Sequence, residues 1–202
     1  MKSHTKKIAI TGSIGSGKST FCKILSGKGY TVINGDELSK ELLASNEEIR
    51  NKIIKTFGNE SFINNEINKK YLAEKAFSST ANVQKINSII HPVVVSEIKT
   101  IFDEKEGKEK IIFVEAALIY EADMEGIFDN VVLVTADENV RKERKVKNGN
   151  MTAGEFEKRN ANQIPDSEKK KRADFVFGNN SSFDDLKNKA ELLIILLTSK
   201  TK

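Results

Sequence analysis

The sequence predicts an α/β fold in which a doubly wound, parallel, five-stranded sheet carries helices on both faces. The first observation is a set of short runs rich in Ile, Val and Phe, each largely apolar on both faces, as in strands that are covered on both sides. The second is that helical patterns alternate with these runs, which favours right-handed crossovers. The predicted strands are Lys7–Thr11, Thr31–Asn34, Lys110–Glu115, Val131–Thr135 and Asp174–Phe177.

Helical patterns fill the segments between the strands. Ser45-Asn46-Glu47-Glu48 and Thr152-x-x-Glu155 both resemble capping boxes. Pro92 biases the preceding His91 towards extended geometry, so we expect a bend there. The predicted helices are Ser19–Lys28, Glu37–Leu43, Glu47–Phe57, Asn68–Phe77, Val83–Phe102, Asp137–Lys147, Thr152–Gln163 and Phe183–Leu197.

The spacing of the strands predicts two helical insertions in one domain, 1–202. About 75 residues separate the second strand from the third and about 38 separate the fourth from the fifth, whereas a minimal crossover needs about a dozen. The predicted core is therefore 6–36, 108–136 and 173–202. The insertions are 37–107 and 137–172.

Composition narrows the class of protein. The chain has 202 residues, 38% hydrophobic and 31% charged, and no run of 18 apolar residues, so we expect a soluble protein that does not enter membranes. The N-terminus lacks the apolar segment of a secretory signal, and a cytoplasmic location is expected. The single cysteine, Cys22, excludes an internal disulfide and is predicted to pack in the core. The net charge of +4 fits either a solvated lysine-rich surface or a field that attracts anionic substrates.

The strongest motif is a phosphate-binding loop. The segment from Gly12 to Ser19, GSIGSGKS, matches G-x-x-x-x-G-K-[ST] and lies between a strand and a helix, which predicts a P-loop NTPase fold. Lys18 would reach the β- and γ-phosphates, and the Ser19 hydroxyl would ligate Mg²⁺. The expected ATP-binding residues here are Gly12, Ile14, Gly15, Ser16, Gly17, Lys18, Ser19 and Thr20. Thr20 stands where the dinucleotide fingerprint G-x-G-x-x-G requires its last glycine, so that fingerprint is excluded.

Two carboxylates lie at or just after the ends of predicted strands, at the edge where ligands bind in such sheets. Asp36 comes just after the second strand and could take a proton from an attacking hydroxyl, cap the helix 37–43, or do both. Glu115 ends the third strand. It could hydrogen-bond to a ligand of the metal, in the outer coordination sphere, or it could be a charge at the sheet edge.

Cations are concentrated in the second insertion. Arg141 and Arg144 are three residues apart and so share a helix face; with Lys147 and Arg159 they form either a lid over the phosphates or a solvated basic face. The cluster 169–172, KKKR, is predicted to be a solvated helix face. A lid and a helical insertion favour a small-molecule kinase over a motor.

These motifs, in this order, resemble the dephospho-CoA kinase family over nearly the whole chain. The resemblance rests on segments that follow one another along the sequence: TGSIGSGKST, VINGDEL, INSIIHPVV, VEAALIYE, RKERKVK, RNANQ and ADFVFGNNSS. Four features depart from the family pattern. Asn34 replaces the first Asp of a usual pair, Ala116-Ala117 stands where Pro is common, Lys69-Lys70 stands where Arg is usual, and a second lid Arg is absent near Lys147 and Asn148.

The resemblance implies transfer of the γ-phosphoryl group of ATP to the ribose 3′-hydroxyl of dephospho-CoA, the last step of coenzyme A synthesis, with Mg²⁺ held through Ser19. It implies that Asp36 is the base and that Lys18 and Arg144 hold the transferring phosphate. Asn179 and Asn180 would approach the adenine of ATP. The residues implied at the acceptor are Asp36, Tyr71, His91, Glu115, Leu118 and Arg159.

Two alternatives to this function stay open at the level of sequence. One is a kinase for another nucleoside or nucleotide, and the other is a nucleotide-dependent switch without an acceptor. His91 could likewise be purely structural. The basic charge lacks the interleaved aromatic residues of RNA-binding motifs, so no nucleic-acid partner is expected. A monomer or a weak homo-oligomer is expected.

Overall fold

The computed structural model describes residues 4–76, 78–148 and 151–199. The strands are β1 (Lys6–Thr11), β2 (Thr31–Asn34), β3 (Phe62–Ile63), β4 (Glu66–Ile67), β5 (Ile111–Glu115), β6 (Asn130–Thr135) and β7 (Phe175–Gly178). The helices are α1 (Lys18–Gly27), α2 (Gly35–Ser45), α3 (Glu47–Phe57), α4 (Lys69–Ala76), α5 (Thr80–Lys105), α6 (Glu138–Lys147), α7 (Ala153–Ala161), α8 (Asp166–Arg172) and α9 (Phe183–Thr198). The predicted end of one helix at Phe77 lies outside the described residues. No helix in the described residues has the length and apolar character needed to cross a bilayer.

The chain divides into two compact units, and the first holds the main sheet. This unit comprises the described residues up to Asn34 and from Lys105 onward. Its five strands are all parallel, in the order β2-β5-β1-β6-β7. The predicted doubly wound five-stranded sheet is confirmed. Because β1 is central, the loop after it opens at the crevice where such sheets bind ligands.

The core of the first unit lies between the sheet and the helices that cover it. Ile8 and Ile10 of β1 are fully buried with Phe21 of α1 and Leu193 of α9. The Phe21 and Phe177 rings lie 5.7 Å apart. Burial of each such side chain stabilises the folded state by about 1.5–3 kcal/mol. This packing fixes β1 and α1 on either side of the phosphate loop.

The second unit, Gly35–Glu104, has its own helical core. Ile49, Ile53 and Phe57 of α3 pack with Leu72 and Ile89 from the next two helices. This unit also contains a hairpin that we did not predict, in which β3 pairs antiparallel with β4. The turn residues Asn64 and Asn65 have φ of 49° and 68°. Asn tolerates this left-handed conformation, so Asn-Asn can replace the usual Asn-Gly of a tight hairpin.

Two local predictions in the second unit are wrong. The N-cap of α3 is Asn46, whose side chain accepts from the Ile49 N–H at 3.0 Å, whereas Ser45 Oγ donates to the Glu41 carbonyl. The expected extended geometry at His91 is also absent, because α5 continues through His91-Pro92. A proline inside a helix costs about 3 kcal/mol. Burial of apolar residues of α5 before and after the proline, such as Ile89 and Val94, offsets that loss.

Candidate active site

The phosphate loop joins β1 to α1, and glycine is required at its two ends. Gly12 and Gly17 have φ of 149° and 99°. A Cβ on Gly12 would collide with the Val134 carbonyl oxygen, and one on Gly17 with the Asn179 side-chain amide. Gly17 is also the N-cap of α1 and has no side chain to satisfy the first N–H groups of the helix. Those N–H groups and the positive end of the helix dipole can therefore receive an anion.

Ser19 and Glu115 meet at the end of this loop. The Ser19 hydroxyl donates to Glu115 Oε1 at 2.6 Å. Glu115 ends β5, beside Ile10 of β1, and is only 7% exposed. Both groups offer the hard oxygen atoms that Mg²⁺ prefers. Both interpretations of Glu115 stay predictions.

Cys22 lies one turn beyond Lys18 and is buried, which confirms its predicted packing role. Burial raises the pKa of its thiol well above the ordinary value, and the nearby Glu115 carboxylate adds to the effect. A thiol held in its neutral form is unreactive at neutral pH, so Cys22 contributes packing and a weak hydrogen bond to Glu115.

Arg141 is not part of a solvated basic face. Its side chain is buried and donates to three oxygens: the Ala136 carbonyl at 3.1 Å, the Ile14 carbonyl at 3.2 Å and Asn160 Oδ1 at 2.8 Å. The guanidinium also lies 5.8 Å from the centre of the Phe156 ring. Arg141 therefore joins α6 to the phosphate loop and to the end of α7.

Two further residues hold the first half of the phosphate loop. Gln163 Oε1 accepts from the Ile14 N–H at 2.9 Å. The Asp166 carboxylate accepts from Ser13 Oγ and from Thr135 Oγ1, each at 2.5 Å. Gln163 was noted only as part of the family pattern, and Asp166 was missed. Of the segment Asp166–Arg172 that forms the short helix α8, only 169–172 were predicted to lie on a helix, and its start at Asp166 was not predicted.

Arg144 has a different environment from Arg141. Its Nη1 atom is buried but has no hydrogen-bond partner within the described part of the chain. Leaving such a donor unsatisfied costs about 1–3 kcal/mol or more for a charged group. An anionic ligand that supplied acceptor oxygens would remove this loss. Arg159, by contrast, is exposed on α7.

The cluster 169–172 is only partly solvated. Lys169 is fully buried and its Nζ lies 2.9 Å from Glu121 Oε1, an oxygen that also accepts from the Ile164 N–H. This prediction was therefore wrong for Lys169. The charge pattern of the segment cannot distinguish it from Lys170, which is exposed.

Asn179 and Asn180 follow β7. Asn179 is buried, and its side-chain amide donates to the Ser16 carbonyl at 2.8 Å, so it supports the phosphate loop. Asn180 is exposed and its Oδ1 accepts from the Asp137 N–H at 2.8 Å. A role for either residue at adenine stays a prediction.

The remaining predicted residues lie on separate elements. Asp36 is exposed in the first turn of α2, and because the helix begins at Gly35 its predicted N-cap role is wrong. Tyr71 Oη donates to the Phe57 carbonyl at 2.9 Å. His91 is half-buried in α5, and Leu118 is half-buried after β5. Their contacts with an acceptor stay predictions.

A cavity of about 490 Å³ lies within the first unit beside the phosphate loop. Its polar walls include Ser13, Thr135, Arg141, Gln163 and Lys170. In the described ranges, no group of three or more His, Cys, Asp or Glu side chains could hold a metal ion.

A parallel sheet, a glycine loop at its switch point and a basic second insertion define a P-loop kinase. A family model described as dephospho-CoA kinase matches residues 6–185, and the chain belongs to this family. The family uses ATP to catalyse the final step of coenzyme A biosynthesis.

One curated relative supports the family by name, and two solved structures match this chain in fold. A dephospho-CoA kinase of Chlamydia caviae is 34% identical over 191 residues, which cover 92% of this chain and 93% of the relative. A solved structure of TT1252 from Thermus thermophilus matches with a TM-score of 0.82 at 28% identity, over 97% of this chain and 100% of the other. Dephospho-CoA kinase from Campylobacter jejuni shares the fold, with a TM-score of 0.63 at 23% identity, over 96% and 97% of the two chains.

Proposed function

We propose that this chain transfers the γ-phosphoryl group of ATP to the ribose 3′-hydroxyl of dephospho-CoA. Membership of the family supports the choice of acceptor. The single structural observation that carries the mechanism is the hydrogen bond between Ser19 and Glu115 at the end of the phosphate loop. This bond places the oxygen atoms of Ser19 and Glu115 side by side, close to where the phosphates of Mg-ATP would bind.

The loop residues bind and orient the triphosphate. Backbone N–H groups of the loop and the first turn of α1 donate to phosphate oxygens, and Lys18 neutralises their charge. Arg144 supplies a guanidinium whose buried Nη1 lacks an acceptor among the described residues. In phosphoryl transfer such positioning and charge stabilisation provide most of the catalysis.

Asp36 takes the proton in this mechanism. As the 3′-oxygen forms its bond to the γ-phosphorus, the hydroxyl proton passes to the Asp36 carboxylate. The bond between the γ-phosphorus and the β,γ-bridging oxygen breaks, and ADP leaves. A positioned carboxylate base of this kind contributes about 10²–10⁴-fold. Asp36 suits the role because it is exposed and comes two residues after the end of β2 along the chain.

Mg²⁺ would be held by Ser19 directly and by Glu115 through water. When bound, it neutralises the charge that develops on the phosphate oxygens. The Glu115 carboxylate accepts the Ser19 proton in a hydrogen bond and so keeps the hydroxyl oriented. Outer partners of this kind fix ligand geometry.

The test is an assay of ADP release from Mg-ATP with and without dephospho-CoA, with the product identified by mass. We expect release that depends on dephospho-CoA and a product heavier by one phosphate. The Lys18→Ala variant should lack this activity, which excludes a contaminating kinase. Stimulation by another nucleoside or nucleotide instead would overturn the acceptor, and ADP release without any acceptor dependence would overturn the transfer reaction.

A further inference from the structure

The first half of the phosphate loop is held by side chains that lie far along the chain, at the end of the second insertion. Ser13 Oγ donates to the Asp166 carboxylate, and the Ile14 N–H donates to Gln163 Oε1. The Ile14 carbonyl accepts from Arg141. Three side chains from the segment 141–166 therefore form hydrogen bonds with two consecutive residues of the loop, Ser13 and Ile14.

Asp166 is the residue of this group whose side chain joins the loop to a strand, through two hydrogen bonds. One carboxylate oxygen accepts from Ser13 in the loop and the other accepts from Thr135 at the end of β6, each at 2.5 Å. Ser13 is 2% exposed and Thr135 is 8% exposed, so neither hydroxyl can easily turn to water instead. Hydrogen bonds to an ionised group are stronger than neutral ones. The carboxylate therefore ties the loop to the neighbouring strand.

The position of this carboxylate is unusual on electrostatic grounds. A negative charge bound directly to a phosphate loop repels the polyphosphate that the loop receives. If that repulsion were the main effect, removing the charge would strengthen nucleotide binding. If the carboxylate mainly holds the loop in its binding conformation, removing it would weaken nucleotide binding, because the loop would have to be ordered when the nucleotide binds.

We propose that Asp166 is a positioning residue that acts through Ser13 to hold the phosphate loop ready for nucleotide. The hydroxyls that face its carboxylate come from Ser13 and Thr135. The same part of the chain contributes Gln163 and Arg141, so the second insertion and the loop are mechanically connected. The proposal deepens the function given above and rests on it for the identity of the nucleotide.

The experiment measures ADP affinity by calorimetry, with Mg²⁺ and without acceptor, for wild type, Ser13→Ala, Asp166→Asn and the double variant. We expect Asp166→Asn to weaken ADP binding about tenfold, because one or more charge-assisted hydrogen bonds are lost. The double variant should bind no more weakly than Asp166→Asn alone, since the two residues act as one unit. Glu168→Gln, an exposed residue of the same helix that pairs with Lys171, is the matched control and should bind ADP like wild type.

Steady-state kinetics provide a second test, because a purely structural role of Asp166 would not change the KM for ATP selectively. In Asp166→Asn the KM for ATP should rise about tenfold, while the KM for dephospho-CoA changes less than about twofold. If Asp166→Asn does not fold, Ser13→Ala, which removes only a hydroxyl, carries the test by itself and should also weaken ADP binding.

Three results would overturn the proposal: unchanged or tighter ADP binding by Asp166→Asn, unchanged binding by Ser13→Ala, or additive losses in the double variant. Failure of the proposed function is distinguishable from these. It would appear as wild-type protein that binds ADP yet does not phosphorylate dephospho-CoA, and the ADP titrations would still decide the role of Asp166.

Discussion

The hydroxyl of Ser19 donates a hydrogen bond of 2.6 Å to the carboxylate of Glu115, which joins the end of the phosphate loop to the end of the neighbouring strand. Glu115 is 7% exposed and reaches this hydroxyl from β5, 96 residues further along the chain. A substitution of Glu115 can therefore test whether this residue supports the metal, as the pair suggests, or binds the acceptor, as the family implies.

Glu115→Gln should raise the Mg²⁺ concentration needed for half-maximal rate about tenfold and lower kcat by about 10–100-fold, as expected for a partner behind a metal ligand. Steady-state kinetics over a Mg²⁺ titration would measure both. Glu191→Gln, which removes only a surface pair with Lys28, is the control. An unchanged Mg²⁺ dependence together with a raised KM for dephospho-CoA would assign Glu115 to the acceptor.

Asp36→Asn should lower kcat by at least about 10²-fold, because the amide cannot take the proton of the attacking hydroxyl. ADP affinity should stay within about twofold of wild type, since the carboxylate acts on the acceptor. Glu37→Gln changes the next residue of the same exposed turn and should keep near-normal turnover. Near-normal turnover by Asp36→Asn itself would exclude the base assignment.

Arg141→Ala should reduce the free energy of unfolding by about 2–4 kcal/mol, because it leaves the carbonyls of the buried Ala136 and the half-buried Ile14 without their donor. For a chain of this size the corresponding fall in Tm is roughly 5–15 °C, measurable by calorimetry. Arg144→Ala should not lower the free energy of unfolding, because it removes a buried Nη1 that has no hydrogen-bond partner among the described residues, yet it should lower kcat. Equal losses of stability in the two variants would contradict this division of roles.

Residues 141–165 should exchange amide hydrogens more slowly when a non-hydrolysable ATP analogue and dephospho-CoA are bound together. The expected cause is closure of the second insertion over the phosphates, with Arg144 moving to the γ-phosphate. Hydrogen exchange read by mass spectrometry would report it peptide by peptide. Unchanged exchange with both ligands bound would argue against a lid.

The His4→Gln variant should alter the pH dependence of stability. Hydrogen bonds that the His4 imidazole donates to Glu106 and then to Asp129 raise the pKa of His4 above its ordinary value of 6.5. The resulting stabilisation is fully present below pH 6.5 and is lost as the pH rises through the folded-state pKa. The free energy of unfolding of wild type should therefore exceed that of the variant by more at pH 5.5 than at pH 8.5. This difference between the two pH values should be under about 1 kcal/mol, because the site is exposed. Urea unfolding at both pH values measures this, and a difference independent of pH would refute it.

Much of the fold could be predicted because its signals are local. All five strands of the main sheet were located within about one residue, and Thr152 and Glu155 form the predicted capping box. The phosphate loop is contiguous, so its residue order suffices to identify it. The hairpin at Asn64-Asn65 and the start of α8 at Asp166 were not predicted, because each segment is short and carries little periodicity.

The sequence by itself determined the sheet, the phosphate loop and the family, since these depend on residues that are neighbours along the chain. Only the tertiary structure decided which polar side chains meet. Glu115 bonds to Ser19, Arg141 is buried against Ile14, and Asp166 binds Ser13, across separations of 96, 127 and 153 residues. No local pattern encodes such contacts, because they arise when the parallel strands bring distant loops to one edge of the sheet.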